Sequence, residues 1–147
     1  MEEKLSNGGE IIYSPKGRSM LPCIREGSDT VTLKKYKKVP ETGDIVFYKR
    51  ADGAFVLHRI IKCQKDGRYT ICGDNQCVLE KDVDQSTFIA VVSGIKRGNK
   101  EINLNSAVYK TYYHLLFLKR FYLKNLSILK AVKKKTGRFL NFGKDGK

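Results

Sequence analysis

The chain has 147 residues, 41% of them hydrophobic, and a formal net charge of +14, which suits one compact domain with an appendage and much solvated surface. Four cysteines without a CxxC pair, and only two histidines, argue against a zinc site, and we expect neither a metal nor another cofactor. The longest uncharged apolar-rich run of the C-terminal part, residues 111–118, is far short of the roughly 20 residues that a membrane-spanning helix needs.

The first part of the chain, from residue 10 to residue 105, consists of short β-rich runs separated by turns. This pattern predicts a mainly β core. Asp52-Gly53 and Asp66-Gly67 are typical of tight hairpin turns, and the second hairpin brings Asp74 back towards the strand that carries His58. The predicted strands cover residues 10–14, 30–33, 45–50, 54–63, 68–72, 87–96 and 101–104.

The spacing of apolar residues changes at about residue 107, where they recur every three or four positions, as in Val108, Tyr112 and Leu115. This period predicts an amphipathic helix that ends near Gly137. The charge changes there as well: residues 1–105 carry 18 basic and 14 acidic side chains, and the remaining +10 lies in residues 106–147. We therefore predict a domain over residues 1–105 and a basic helical tail over residues 106–147.

Three interpretations of the basic helix, residues 107–137, stay open. Its broad apolar face and its lysines favour an anionic membrane surface as the partner. Packing on the domain or on a partner protein is the second interpretation. Nucleic-acid binding is the least favoured, because no recognition motif accompanies the charge.

Three polar residues form a candidate catalytic set: Ser19 in the sequence GRSMLP, His58 in LHRI and Asp74 in GDN. A serine hydroxyl is a weak nucleophile at neutral pH and needs a base within hydrogen-bond reach and a third group that orients the base. Each of the three has an ordinary explanation by itself, as a turn serine, a core histidine and a turn aspartate. The significance lies in the combination.

Taken with Gly43-Asp44-Ile45-Val46, these motifs resemble, in order and spacing, those of type I signal peptidases and their LexA-like relatives. The resemblance covers roughly residues 10–97. Bacterial signal peptidases and LexA-like proteins have a lysine base at the position of His58, so the chain is similar to the Ser/His/Asp branch of the endoplasmic reticulum, archaea and some spore-forming bacteria.

The resemblance implies a role for each residue of the set. Ser19 would be the nucleophile, His58 the general base and Asp74 the group that orients the imidazole. An acidic residue shortly after the GDN motif also contributes in that branch, and three candidates stay open: Glu80, Asp82 and Asp84. The backbone N–H of Ser19 would stabilise the oxyanion.

The resemblance also implies a signal-peptidase/LexA-like β fold and an endopeptidase that cleaves leader or signal peptides through an acyl-enzyme. Its peptide or protein substrate would have small residues at the cleavage site and would bind as an added strand. The edge that ends at Ser14 and Pro15 is the expected place. Substrate-binding residues are otherwise unknown.

Two departures from the family leave alternatives open. Many signal peptidases have a serine hydroxyl as second oxyanion donor where this chain has Gly17, and no N-terminal anchor helix or cleavable signal is seen. Because no anchor helix or cleavable signal is seen, we expect a cytoplasmic location. If the basic helix binds lipid, the chain would lie at the membrane surface as a peripheral protein. The alternatives are a catalytically weak peptide-binding or regulatory module and a LexA-like self-cleaving regulator. No Ala-Gly segment precedes Ser19, which disfavours the regulator.

Overall fold

The computed structural model describes residues 2–116, 118, 119 and 122 of the protein. Within them the chain is mainly β, as the sequence predicts, with one antiparallel sheet of eight strands after a short helix. A 3₁₀ turn at Gln85–Thr87 precedes the longest strand. The helix and strands are α1 (Glu2–Ser6), β1 (Glu10–Tyr13), β2 (Asp29–Lys34), β3 (Ile45–Lys49), β4 (Phe55–Cys63), β5 (Tyr69–Cys72), β6 (Glu80–Val83), β7 (Phe88–Arg97) and β8 (Lys100–Ile102).

The strands follow the order β1-β2-β7-β3-β4-β5-β6, and β8 pairs with β7. Among the described strands β1 pairs with β2 alone, and β6 pairs with β5 alone. These two strands are the ends of the path. Unpaired backbone N–H and C=O groups at such an end can accept an additional strand.

The hairpins form at the predicted turns. Gly53 and Gly67 have φ angles of 86° and 80°, a region that favours glycine. Asp52 and Asp66 precede them, and each carboxylate accepts a hydrogen bond from the backbone N–H two residues on, at 2.9 and 3.2 Å respectively. Such Asx turns fix the register of the flanking strands.

One face of the sheet carries an apolar core built from β3, β4, β5 and β7. Burial of each such side chain contributes about 1.5–3 kcal/mol. His58 and Arg59, adjacent in the middle of β4, are also buried, and successive side chains of a strand point to opposite faces. The sheet therefore buries one polar side chain on each side of this strand, and His58 is the one on the face of the apolar core. The buried cluster consists of Val46, Tyr48, Ile60, Tyr69, Ile71 and Phe88.

Two elements were missed by the sequence analysis, α1 and β6. The sequence of β6, Glu-Lys-Asp-Val, has three charged residues in four and no alternation of apolar and polar residues. This segment is a strand because it pairs with β5 at the end of the sheet. A local pattern therefore could not reveal it.

The chain divides into two compact units, residues 1–110 and residues 111–147. Backbone of helical conformation covers residues 107–116, where the predicted amphipathic helix begins. Most of the rest of that prediction, up to Gly137, lies outside the described residues. No helix among the described residues has both the length and the apolar character needed to cross a membrane.

Candidate active site

Ser19 lies half-buried in the turn that follows β1. The GDN motif holds this turn in place. The backbone N–H of Asn75 donates to the carbonyl oxygen of Ser19 at 2.7 Å, and the Asn75 side-chain amide donates to the carbonyl oxygen of Arg18 at 3.3 Å. The candidate nucleophile is thus fastened to the loop after β5.

Gly73 brings the serine turn and the histidine together. A Cβ atom at this position would lie 2.7 Å from the Ser19 carbonyl oxygen and 3.0 Å from His58 Nε2. Non-bonded heavy atoms do not approach a carbon so closely without strain. Only glycine lets the Ser19 backbone and the imidazole flank the same point.

His58 is 1% exposed, and its two ring nitrogens have different environments. Nδ1 lies 2.9 Å from Glu80 Oε1 and 3.2 Å from the Tyr48 hydroxyl oxygen. Nε2 is buried and has no hydrogen-bond partner within the described part of the chain. Since an ionised carboxylate can only accept, Nδ1 carries the proton and Nε2 presents a lone pair.

Glu80 is itself fixed by two donors. The Tyr48 hydroxyl donates to its Oε2 at 2.8 Å, and Arg50 Nε donates to the same oxygen at 2.9 Å. A second Arg50 nitrogen donates to Oε1. Burial acts to raise the pKa of Glu80, but the hydrogen bonds from Arg50 and Tyr48 outweigh it, so the pKa lies below its ordinary value. The carboxylate is therefore ionised at neutral pH.

The imidazole of His58 is neutral at neutral pH because, unlike at Glu80, the effect of burial on the pKa is the larger one. Burial lowers the pKa of His58 below its ordinary 6.5, and the opposing charge of Glu80 only partly offsets this effect. A neutral imidazole with a bare Nε2 is the form that a general base requires. Ser19 Oγ does not hydrogen-bond to it in this conformation. Catalytic hydrogen bonds are commonly long before substrate binds.

Asp74 was expected to orient the imidazole, but it forms no hydrogen bond with His58. Its carboxylate accepts two hydrogen bonds from Arg59, from Nε at 2.9 Å and from Nη2 at 2.7 Å. Arg59 Nη1 also donates to the Gly43 carbonyl at 2.8 Å and to the Tyr109 hydroxyl at 3.0 Å. The expectation for Asp74 is corrected accordingly: it pairs with a buried arginine, and Glu80 occupies the place beside His58.

Strand register explains this division. Arg59 pairs with Cys72, so their side chains share one face, and Asp74 follows two residues later on that side. On the opposite face, Ile60 pairs with Ile71 and Ile71 with Glu80. His58, two residues before Ile60, shares that face with Glu80.

The other two acidic candidates have different partners. The Asp82 carboxylate accepts a hydrogen bond from Gln64 Nε2 at 3.0 Å. The Asp84 carboxylate accepts one from the Ser86 backbone N–H at 2.7 Å and so caps the 3₁₀ turn. Of the three open candidates, Glu80 is the one that contacts His58.

Ser19 and His58 line a common cavity of about 220 Å³. One wall comes from Pro15, Lys16 and Gly17 after β1, and the other comes from residues 55–57 at the start of β4. In this part β4 pairs with β3 on one side, and its pairing with β5 begins only at Arg59. Among the described strands, both β1 and the start of β4 thus have an unpaired edge.

No set of three or more His, Cys, Asp or Glu side chains in the described part of the chain is arranged to hold a metal ion. The cavity is lined by an alcohol, Ser19, and an imidazole, His58, and a carboxylate, Glu80, lies against the other nitrogen of that imidazole. An alcohol, an imidazole and a carboxylate are a combination that can carry out acyl transfer. Tyr48, Arg50, Gly73 and Asn75 support this arrangement and were not singled out as site residues. The GDN spacing was the only sequence signal for any of them.

No protein-family model, no curated protein sequence and no solved structure matches this chain.

Proposed function

We propose that the protein is a serine endopeptidase of the signal-peptidase type, in which Ser19 is the nucleophile, His58 the general base and Glu80 the orienting carboxylate. The observation that carries the proposal is the state of His58. Its Nδ1 is held by Glu80, and its bare Nε2 is buried beside the Ser19 backbone at Gly73. On the same motifs we also propose that the fold belongs to the signal-peptidase/LexA-like class.

The proposed reaction follows the general order of acyl transfer. Ser19 Oγ attacks the peptide carbonyl carbon while its proton passes to His58 Nε2. The imidazolium keeps its Nδ1–H on Glu80, whose negative charge stabilises it. When the tetrahedral intermediate collapses, Nε2 returns the proton to the leaving amine. Water then hydrolyses the Ser19 ester by the same route, and His58 acts again as base.

The unpaired edges suggest how substrate binds. An extended peptide between β1 and residues 55–57 would gain backbone hydrogen bonds along both walls of the cavity. Its scissile bond would lie at Ser19. Buried Met20, Ile24 and Leu57 contribute to the lining, and together with the modest volume they favour substrates with small apolar side chains next to the cut.

The direct test is cleavage of leader or signal peptides that contain small-x-small sites, followed by mass spectrometry. We expect cleavage after the second small residue by the parent protein and none by Ser19→Ala or His58→Ala. Equal cleavage by either variant contradicts the mechanism. Ser19→Ala has no hydroxyl that could form an acyl-enzyme, so peptides that are recovered with this variant are bound non-covalently. Their sequences identify the natural substrate class.

The same experiment separates the alternatives. Peptide binding without turnover by the parent protein would favour a regulatory module on the same fold, for which the missing side chain at Gly17 is the supporting observation. A LexA-like self-cleaving regulator would show loss of intact mass on long incubation in the absence of any peptide. The endopeptidase proposal predicts a constant intact mass.

We further propose that the basic helical tail, predicted over residues 107–137, binds an anionic membrane surface. The full chain is the right material for the test, because the Tyr109 hydroxyl accepts a hydrogen bond from buried Arg59 and truncation before it would disturb the core. We expect sedimentation with anionic vesicles that weakens with salt. Replacement of Lys133, Lys134 and Lys135 by glutamine should reduce it, and unchanged sedimentation would refute the proposal.

A further inference from the structure

The proposed reaction leaves one electrostatic requirement open. Negative charge on the carbonyl oxygen needs donors positioned around it, and the Ser19 backbone N–H is one. Residue 17 has no side chain that could supply another, since it is glycine with a φ angle of 89°. A Cβ at Gly17 would meet no atom within 4 Å, but that backbone conformation disfavours any side chain. A side-chain donor must therefore come from another element.

Gln76 is placed to provide it. Its backbone N–H donates to the Gly73 carbonyl oxygen at 3.0 Å and closes a tight turn. Its side chain lines the same cavity as Ser19 and His58. The Gln76 Oε1 atom lies 2.9 Å from the point where a Cβ of Gly73 would be, and His58 Nε2 lies 3.0 Å from that same point. The amide thus stands beside the reacting groups.

We propose that Gln76 is a further catalytic residue, whose side-chain amide donates a hydrogen bond to the substrate carbonyl oxygen as it becomes negatively charged. This inference rests on the proposed function of Ser19 and His58. Rotation of the terminal amide exchanges its oxygen and nitrogen positions, and the group carries two N–H donors and no charge. It can therefore stabilise an oxyanion without raising or lowering the charge next to His58.

Two other polar side chains near the cavity are already engaged. Arg50 is bound to Glu80, and the Asn75 amide is bound to the Arg18 carbonyl. The Gln76 amide forms no hydrogen bond with the residues that the structure describes, so turning it towards substrate breaks none. Lys16, which also lines the cavity, is the competing donor, and the experiment has to include it.

A fluorophosphonate probe tests the inference, because its adduct on a serine is tetrahedral and carries an oxygen in the oxyanion position. The rate of labelling of Ser19, followed by intact mass, is compared among the parent protein, Gln76→Ala, Gln76→Glu and Lys16→Met. Gln64→Ala is the matched control, since that amide is bound to Asp82 in the turn after β4. Loss of one oxyanion donor typically costs about 10²–10³-fold.

We expect both Gln76 variants to label about 10²-fold more slowly than the parent and Gln64→Ala to label at the parental rate. Lys16→Met should lose much less than either Gln76 variant. In peptide cleavage the loss should fall on kcat and not on KM. The pKa of His58, read by NMR, should not change in Gln76→Ala, whereas a displaced turn would alter it. These results together would establish donation to the oxyanion.

Three outcomes go against the inference. Parental labelling and kcat in Gln76→Ala overturn it and leave the proposed function intact, provided that Ser19→Ala is not labelled. A loss in Lys16→Met without one in Gln76→Ala assigns the donation to the lysine. If the parent protein itself is neither labelled at Ser19 nor active on peptides, the proposed function fails, and the role of Gln76 fails with it.

Discussion

Replacement of Glu80 by glutamine tests the assignment on which the proposed mechanism depends. The amide has the size of the carboxylate but can present N–H groups to His58 Nδ1. That arrangement stabilises the tautomer whose Nε2 carries the proton, and this tautomer cannot accept the Ser19 proton. Arg50 also loses its partner charge. The perturbation therefore changes which nitrogen is basic and leaves the side-chain volume unchanged.

The size of the effect follows from the local geometry. An amide in place of the triad carboxylate lowers kcat by about 10⁴-fold in a serine protease. Two features reduce this here: the Glu80 side chain is 24% exposed, and the Tyr48 hydroxyl oxygen, 3.2 Å from Nδ1, offers another acceptor. We expect a loss of about 10²–10⁴-fold in kcat, which is about 2.7–5.5 kcal/mol of transition-state stabilisation.

Two measurements check this prediction. Peptide cleavage gives kcat, and ¹⁵N-detected NMR of the imidazole reports the tautomer and the pKa of His58 without any substrate; the sequence has only one other histidine, His114. In Glu80→Gln we expect loss of the Nδ1–H tautomer and a further fall in the pKa, since the carboxylate raises it. The assignment to Glu80 is refuted if Glu80→Gln keeps full activity and an unchanged tautomer while Asp74→Asn loses both. Asp74 would then be the residue that orients His58.

Three further predictions concern neighbouring groups. Because burial lowers the pKa of His58, the acid limb of the pH profile of kcat/KM should have its midpoint below pH 6.5. The stability contributed by the neutral imidazole is present above pH 6.5 and is lost as the pH falls below that value. Urea titrations at several pH values will measure this loss. Asp74→Asn leaves Arg59 without its buried partner charge and should lower the unfolding free energy by about 3–5 kcal/mol, whereas the double variant Arg59→Met/Asp74→Leu should recover most of it. Gly73→Ala should abolish Ser19 labelling while secondary structure, followed by circular dichroism, persists, because its Cβ would collide with the Ser19 carbonyl oxygen.

Local sequence pattern predicted most of the strands because their signals are local. Asp-Gly pairs fix the turns of two hairpins, and β-branched runs mark the strands between them. The acidic member of the expected triad could not be predicted from such local signals. Asp74 and Glu80 are both acidic, and both follow His58 within a short stretch of the sequence. Only the pairing of β4 with β5 and of β5 with β6 decides which face of the sheet each carboxylate occupies. Register is a property of the assembled sheet, and the strand that carries Glu80 has no apolar pattern of its own.

The division of the two carboxylates gives the GDN motif a physical role that differs from base orientation. Asp74 ties the loop to buried Arg59, Asn75 holds the serine turn through two carbonyl oxygens, and Gly73 leaves room for the imidazole. A carboxylate whose two oxygens accept hydrogen bonds from Arg59, on the opposite face of β4, does not orient the imidazole by a hydrogen bond. Orientation of His58 therefore requires a second acid on the other side, and Glu80, fixed by Tyr48 and Arg50, supplies it. By this argument the motif positions the proposed nucleophile and β6 orients the proposed base, so damage to either should abolish the proposed activity by different routes.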